Sequence, residues 1–243
     1  MDTSVLGFSL IILFYAVIQS VFGIGILAFG TPTFLLLGFP FQETLSILLP
    51  ASLCVSFLQI WHEREELKLN WKRFSGLTFF FAALGLSITL YLLESRALDI
   101  KIPVGVLMIF SAFLRFSKTL SQKLKKFVGR YEYSFVSIIG FVHGMTNMGG
   151  GLLSAFASIL YDTKAKIRSH VALGYFVMGL AQIFVLLYKK QFVLENLVWI
   201  APIVSSLTFV LVGNRIFQMS KESLFHHALT GFLLVLGVSL FVF

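Results

Sequence analysis

Charge is scarce in this chain. Only 12% of its 243 residues are Asp, Glu, Lys or Arg, against ~25% in an ordinary soluble domain. No Asp or Glu lies deep in any predicted span. The first shortage excludes a soluble globular protein. The second removes the paired carboxylates that an intramembrane hydrolase or a carboxylate proton relay would use. Cysteine occurs once, as Cys54 within an apolar run, so there is no intramolecular disulfide and no redox motif. The alternation of apolar and polar residues expected of barrel strands is also missing. The N-terminus, M-D-T-S-V-L-G-F-S, lacks a basic n-region and is expected to lead into a first span rather than a cleaved signal.

What remains is grease. Hydrophobic residues make up 58% of the sequence and its mean hydropathy is +0.92, with several runs near the ~18–20 apolar residues needed to cross a bilayer. Runs this long in lipid leave only helix or closed barrel, so the fold class is an all-α polytopic membrane protein. The net charge of +8 then marks orientation rather than nucleic acid, because most basic residues fall in short loops.

Ten apolar segments can be drawn, at 4–22, 26–38, 43–61, 73–93 and 100–116, then 131–147, 150–161, 168–188, 195–214 and 223–243. Between the groups lies a basic stretch with Arg115, Lys118, Lys123, Lys125, Lys126 and Arg130. The chain therefore divides into a first transmembrane repeat (1–116), a basic cytoplasmic linker (117–130) and a second repeat (131–243). Each half opens with a long span, breaks at glycine and continues as a short segment. Each next span carries a glutamine near its end, Gln59 and Gln182, and an aromatic stands at the edge of the span after it, Trp71 and Trp199. With ten crossings and the N-terminus outside, fifteen Lys and Arg lie inside against Arg96, Lys101, Lys189 and Lys190 outside. If the two short segments are re-entrant the split falls to twelve against seven. The charge bias favours ten, and five segments per half would make the repeats inverted.

The glycine breaks read Gly23-Ile24-Gly25 through Gly30-Thr31-Pro32, and Gly144-Met-Thr-Asn-Met-Gly-Gly-Gly151. Short Gly/Pro-interrupted segments in matching places of two halves point to a transporter site. A glycine break followed by a helix start exposes backbone N–H groups at the positive end of a dipole, which suits an anion. Gly23, Gly25, Gly149, Gly150 and Gly151 are the backbone candidates, with Thr31, Thr146 and Asn147 as side-chain donors. Close helix packing through small residues is the competing reading. Ser52, Ser56 and Gln59 share one helix face, and aligning the glutamines puts Tyr175, Gly179 and Gln182 on the equivalent face. Gln59 and Gln182 are candidate polar contacts, against a role as interhelical glue. His143, beside Gly144, is the one histidine within the spans proper, a candidate proton carrier or substrate contact; His62, His170, His226 and His227 fall near loops. Lys164, Lys166 and Arg168 form a basic loop that could draw an anion towards an inner mouth.

The motif G-F-V-H-G-M-T-N-M-G-G-G followed by K-A-K-I-R-S-H-V-A-L-G-Y-F resembles the second repeat of the TauE/SafE sulfite exporter family, also called the four-toluene-sulfonate uptake permease family. Gly23, Gly25 and Pro32 are similar to that family's first Gly/Pro motif, although Ile26 and Leu27 stand where further glycines are often found, which moves the expected substrate contact towards the second break. The resemblance implies a multi-pass transporter in the plasma membrane (the bacterial inner membrane). Its cargo would be small anions such as sulfite, organosulfonates or related sulfur or carboxylate compounds, often moved outward. The paired breaks are expected to hold the anion between them near mid-membrane and to work by alternating access. Expected partners are that anion, the lipid bilayer and a second copy of the chain, with no nucleic acid. No catalytic residue, cofactor or metal is expected. A non-transporting membrane scaffold or assembly factor is the alternative.

Overall fold

The computed structural model describes residues 3–67, 71–95, 126–161 and 163–220, together with positions 102, 106, 109, 231 and 238. The expected segments 100–116 and 223–243, most of the linker, and His226 and His227 lie outside the described residues. Within them the chain is helical: α1 (Thr3–Phe22), α2 (Ile26–Leu36), α3 (Phe41–His62), a 3-10 turn (Arg64–Glu66), α4 (Trp71–Glu94), α5 (Glu132–Thr146), α6 (Gly149–Leu160), α7 (Lys164–Tyr188) and α8 (Asn196–Met219). Helices α3, α4, α7 and α8 are each long and apolar enough to cross a membrane. Prolines inside α2, α3 and α8 are tolerated because neighbouring helices and water can satisfy the freed backbone groups.

Two helical hairpins are built around the breaks. Helix α2 folds back along α1, with Phe8 against Phe34 and Phe39, Tyr15 against Phe29, and the Tyr15 hydroxyl 2.7 Å from the Thr33 hydroxyl. Helix α6 folds back along α5, with Phe135 against Phe156. The chain thus leaves each hairpin at the end by which it entered, whatever depth the tip reaches.

Helices α3 and α7 run antiparallel through the middle, joined from Phe57–Phe176 to Glu63–Arg168. They are the interior pair: 61% of each spanning window is buried, against 33% for α4 and 39% for α8. The outer helices turn Phe80, Leu84 and Tyr91, or Trp199, Ile203 and Leu207, outward, as a lipid-facing surface requires. One end of the bundle gathers Ser46, Glu94, Gln191 and Val193; the other gathers Glu63, Lys164, Asn214 and Ser220.

Helices α4 and α5 lie side by side because glycine lets their backbones touch. A Cβ on Gly144 would stand 2.1 Å from the Ala82 carbonyl oxygen, and one on Gly85 2.2 Å from that of Phe141. The packing reading is thus the right one for Gly144, although it belongs to the break motif. Gly144→Ala is expected to force the two helices apart and lower stability by about 1–3 kcal/mol, measured as an earlier melting transition in detergent. An unchanged transition would refute this contact.

Candidate functional site

The two breaks have the same local geometry. In the first, Gly23 takes φ +75°, and its N–H donates to the Gln19 carbonyl at 2.8 Å. In the second, Asn147 takes φ +60°, and its N–H donates to the His143 carbonyl at 2.6 Å. Positive φ ends each helix, and glycine and asparagine are the residues that bear it most easily. A Cβ on Gly25 would meet the Gln19 backbone and the Tyr15 carbonyl oxygen, while one on Gly149 would meet His143 and the Ile139 carbonyl oxygen. His143, Asn147 and Gly149 each stand 124 positions after Gln19, Gly23 and Gly25. The glutamines act alike too. Gln59 Nε2 donates to the Gln19 carbonyl at 2.7 Å, and Gln182 Nε2 to the His143 carbonyl at 3.3 Å.

The breaks also touch each other. Asn147 Nδ2 donates to the Thr31 hydroxyl at 2.7 Å, across 116 positions of sequence. Gly23 packs on Val171 of α7, and Gly150 lies beneath Tyr175 of the same helix. Gly23, Gly25, Thr31, Gln59, His143, Thr146, Asn147, Gly149, Gly150, Gly151 and Gln182 are therefore all buried in one neighbourhood between the hairpins and α3 and α7. Thr146 is committed to its own turn, donating to the Val142 carbonyl and accepting from the Met148 N–H.

Chemically the breaks differ. Gln19 fills most of the first: its Nε2 reaches the Ser52 carbonyl and the hydroxyls of Ser52 and Ser56, and its Oε1 caps the Ile26 N–H at 3.1 Å. Only Gln59 Oε1 among these groups has no partner, as Gln182 Oε1 has none at the second. In the second, His143 holds the place of Gln19, and Tyr175 and Gly179 hold the places of Ser52 and Ser56. Neither ring nitrogen of His143 makes a well-formed hydrogen bond, although the Gln182 side chain stands close to the ring, and the Tyr175 hydroxyl, Asn147 Oδ1 and Gln182 Oε1 make none either. His143 and Tyr175 meet edge to face at 5.4 Å, beside the α6 N-terminus. Each buried unpaired group costs about 1–3 kcal/mol, so the cluster is one that a polar ligand or water would relieve.

Gln19 could not be picked out as a functional residue in the sequence: it stands beside Ser20 in a first span, and its side-chain partners on α3, Ser52 and Ser56, are 33 and 37 positions away. Gln19→Leu is expected to strand the Ile26 N–H and the Ser52 and Ser56 hydroxyls and to destabilise the protein by about 2–4 kcal/mol in total. Melting of the purified variant measures this, and a wild-type midpoint would sink the capping role.

Two expectations need correction. Arg168 is not part of an exposed basic loop: Thr163 caps α7 at Lys164, and Arg168 lies one turn inside, 1% exposed. Its guanidinium binds both Glu63 oxygens (Nε at 3.0 Å to each, Nη2 to Oε1 at 2.6 Å), Asn214 Oδ1 at 3.1 Å and the Ser20 carbonyl at 2.7 Å. Burial pushes the Glu63 carboxyl upward and the Arg168 hydrogen bonds pull it back. Lys164 is also engaged, donating to the carbonyls of Phe217, Gln218 and Ser220 at the end of α8. Nor is His143 the one histidine within the spans. His170 is buried in α7, stacked on Tyr161 at 3.9 Å, with Nδ1 2.7 Å from the Lys166 carbonyl. Among the described residues no cluster of His, Cys, Asp or Glu could hold a metal ion.

No curated protein and no solved structure matches the chain. The family described as Sulfite exporter TauE/SafE matches residues 8–240. That span takes in both breaks, the paired glutamines and the buried ion pair, so this multi-pass membrane protein belongs to the TauE/SafE sulfite exporter family.

Proposed function

We propose that this protein carries small anions such as sulfite, organosulfonates or related carboxylates out across the plasma membrane by alternating access, with the substrate bound at the second break. The observation that carries the reading is the set of unpartnered buried atoms on His143, Asn147, Tyr175 and Gln182. They surround the N-terminus of α6, where the first helical N–H groups, at Gly149–Gly151, have no carbonyl one turn earlier in the helix. Those N–H groups and the Tyr175 hydroxyl supply donors without a formal charge. That holds an anion while leaving it free to depart. Gly23, Gly25 and Thr31 form the opposite wall, fixed by Gln19 and by the Thr31–Asn147 bond.

The repeated contacts support two related units, 1–116 and 131–243, joined by the basic linker 117–130. They enter the bilayer from opposite ends: the α1–α2 hairpin opens at the end holding Ser46, and the α5–α6 hairpin at the end holding Glu63. Arg64, Lys72, Arg73, Arg130, Lys164, Lys166 and Arg215 crowd the latter end, against Lys189 and Lys190 at the other. On the positive-inside rule the Glu63 end is cytoplasmic.

The test is counterflow of labelled sulfite into liposomes holding the purified protein and trapped unlabelled sulfite, repeated with methanesulfonate or acetate trapped in its place. Accumulation driven by trapped sulfite is expected. Its absence for every anion would replace transport with the scaffold reading.

A further inference from the structure

The transport reading leaves the buried Arg168 guanidinium without a task. A guanidinium at 1% exposure carries a heavy desolvation penalty, and an ion pair replaced by apolar side chains is often no less stable. Its surroundings are those of an oxyanion site. Arg168 presents its fork to two carboxylate oxygens, lies with Cζ 3.4 Å above the Phe217 ring, and is steadied by the Ser20 carbonyl and Asn214 Oδ1. The carboxylate it holds comes from a single turn at the end of α3. Glu63 also lines an open basin of about 430 Å³, formed by the turn Trp61–Glu66 and Ala165. A carboxylate leaving Arg168 on that side would enter water.

Position along the helices adds a direction. Arg168, Val171, Tyr175 and Gln182 fall at i, i+3, i+7 and i+14 of α7, hence on one face. Arg168 is about 10 Å of helix rise from Tyr175. Val171 packs on Gly23, and the Arg168 carbonyl is 3.4 Å from where a Cβ of Gly23 would stand. The Ser20 carbonyl that accepts from Arg168 also accepts from Gln59 Nε2 at 3.3 Å. Basin, guanidinium and glycine breaks therefore form one line.

We propose that Arg168 is a second binding site for the transported oxyanion, between the basin and the breaks, and that the Glu63 carboxylate is its internal stand-in. An anion with two oxygens able to meet the guanidinium fork, such as a sulfite, sulfonate or carboxylate, displaces Glu63 into the basin. When the anion moves on, Glu63 closes behind it. This rests on the transport reading and adds a site to it.

Binding of sulfite, methanesulfonate and acetate to purified wild type, Glu63→Gln and Arg168→Lys, by calorimetric titration, decides the matter. Glu63→Gln removes the competing charge, so the Kd for at least one anion is expected to fall about tenfold, while Arg168→Lys loses the bidentate fork and raises it about tenfold. A purely structural bolt predicts lower melting temperatures for both variants and an unmoved Kd, which would overturn the proposal. If Glu63→Gln does not fold, Glu63→Asp, with a shorter tether, is expected to tighten binding several-fold, and an unchanged Kd is again fatal. Counterflow by wild type with no Kd shift in the variants rejects the exchange alone. No binding by wild type or the Glu63 variants, together with no counterflow, rejects transport as well.

Discussion

Gly150→Ala is expected to abolish anion flux, with a fall of about hundredfold or more, the scale set by an ångström-size displacement of groups that hold a reacting or transported molecule. In an unhindered helix the change would stabilise, because alanine is favoured over glycine by about 1 kcal/mol. Here the new Cβ would stand 1.6 Å from the Tyr175 hydroxyl oxygen and 2.3 Å from Cζ. Overlap of that depth outweighs the propensity gain, because neither partner can yield. The start of α6 is wedged on His143 through Gly149, and the Tyr175 ring stands edge-on to the His143 ring. Counterflow and melting are measured together with Gly85→Ala, which meets the Phe141 carbonyl from α4 and should destabilise with a smaller loss of flux. In Gly150→Ala the further change Tyr175→Ala should recover stability and leave flux low, since it clears the collision by removing a proposed ligand. Recovery of flux as well would reduce Gly150 to a packing residue.

The sequence carries the hairpins plainly because their determinants are local. A positive φ needs Gly23 or Asn147, a backbone approach of under 3 Å needs Gly25 or Gly149, and both demands are met within a few residues. The glutamine pair was legible too, as equal placement in two spans, and the structure gives both the same acceptor, the last carbonyls of the preceding broken helix. What could not be read was chemistry assembled across distance. Glu63 and Arg168 are separated by 105 positions, and each alone reads as a loop charge. The asymmetry of the breaks was anticipated for another reason, the missing glycines at Ile26 and Leu27. The structure ties it to Gln19, which occupies the donors and acceptors that His143 and Tyr175 leave open.

Tyr175→Phe separates a binding group from a structural one more sharply than any deletion in this region. The phenol oxygen is buried and has no partner, so its removal takes away a desolvated hydroxyl and no hydrogen bond within the protein. Ring packing against His143 and the fit over Gly150 are kept. The variant is expected to be more stable than wild type by about 1 kcal/mol, and to lose about ten- to hundredfold in flux with a raised KM for sulfite, because a hydrogen bond to a charged ligand is worth ~1.5–3 kcal/mol. Thr31→Val is the contrast. Its hydroxyl accepts from Asn147 Nδ2 at 2.7 Å, and losing it strands a buried donor, so stability and flux should fall together. Opposite movement of melting temperature and flux in Tyr175→Phe, with parallel movement in Thr31→Val, distinguishes a ligand-facing hydroxyl from one that holds the breaks together. A Tyr175→Phe variant with wild-type flux would remove Tyr175 from the site and leave His143 and Asn147 as its side-chain candidates.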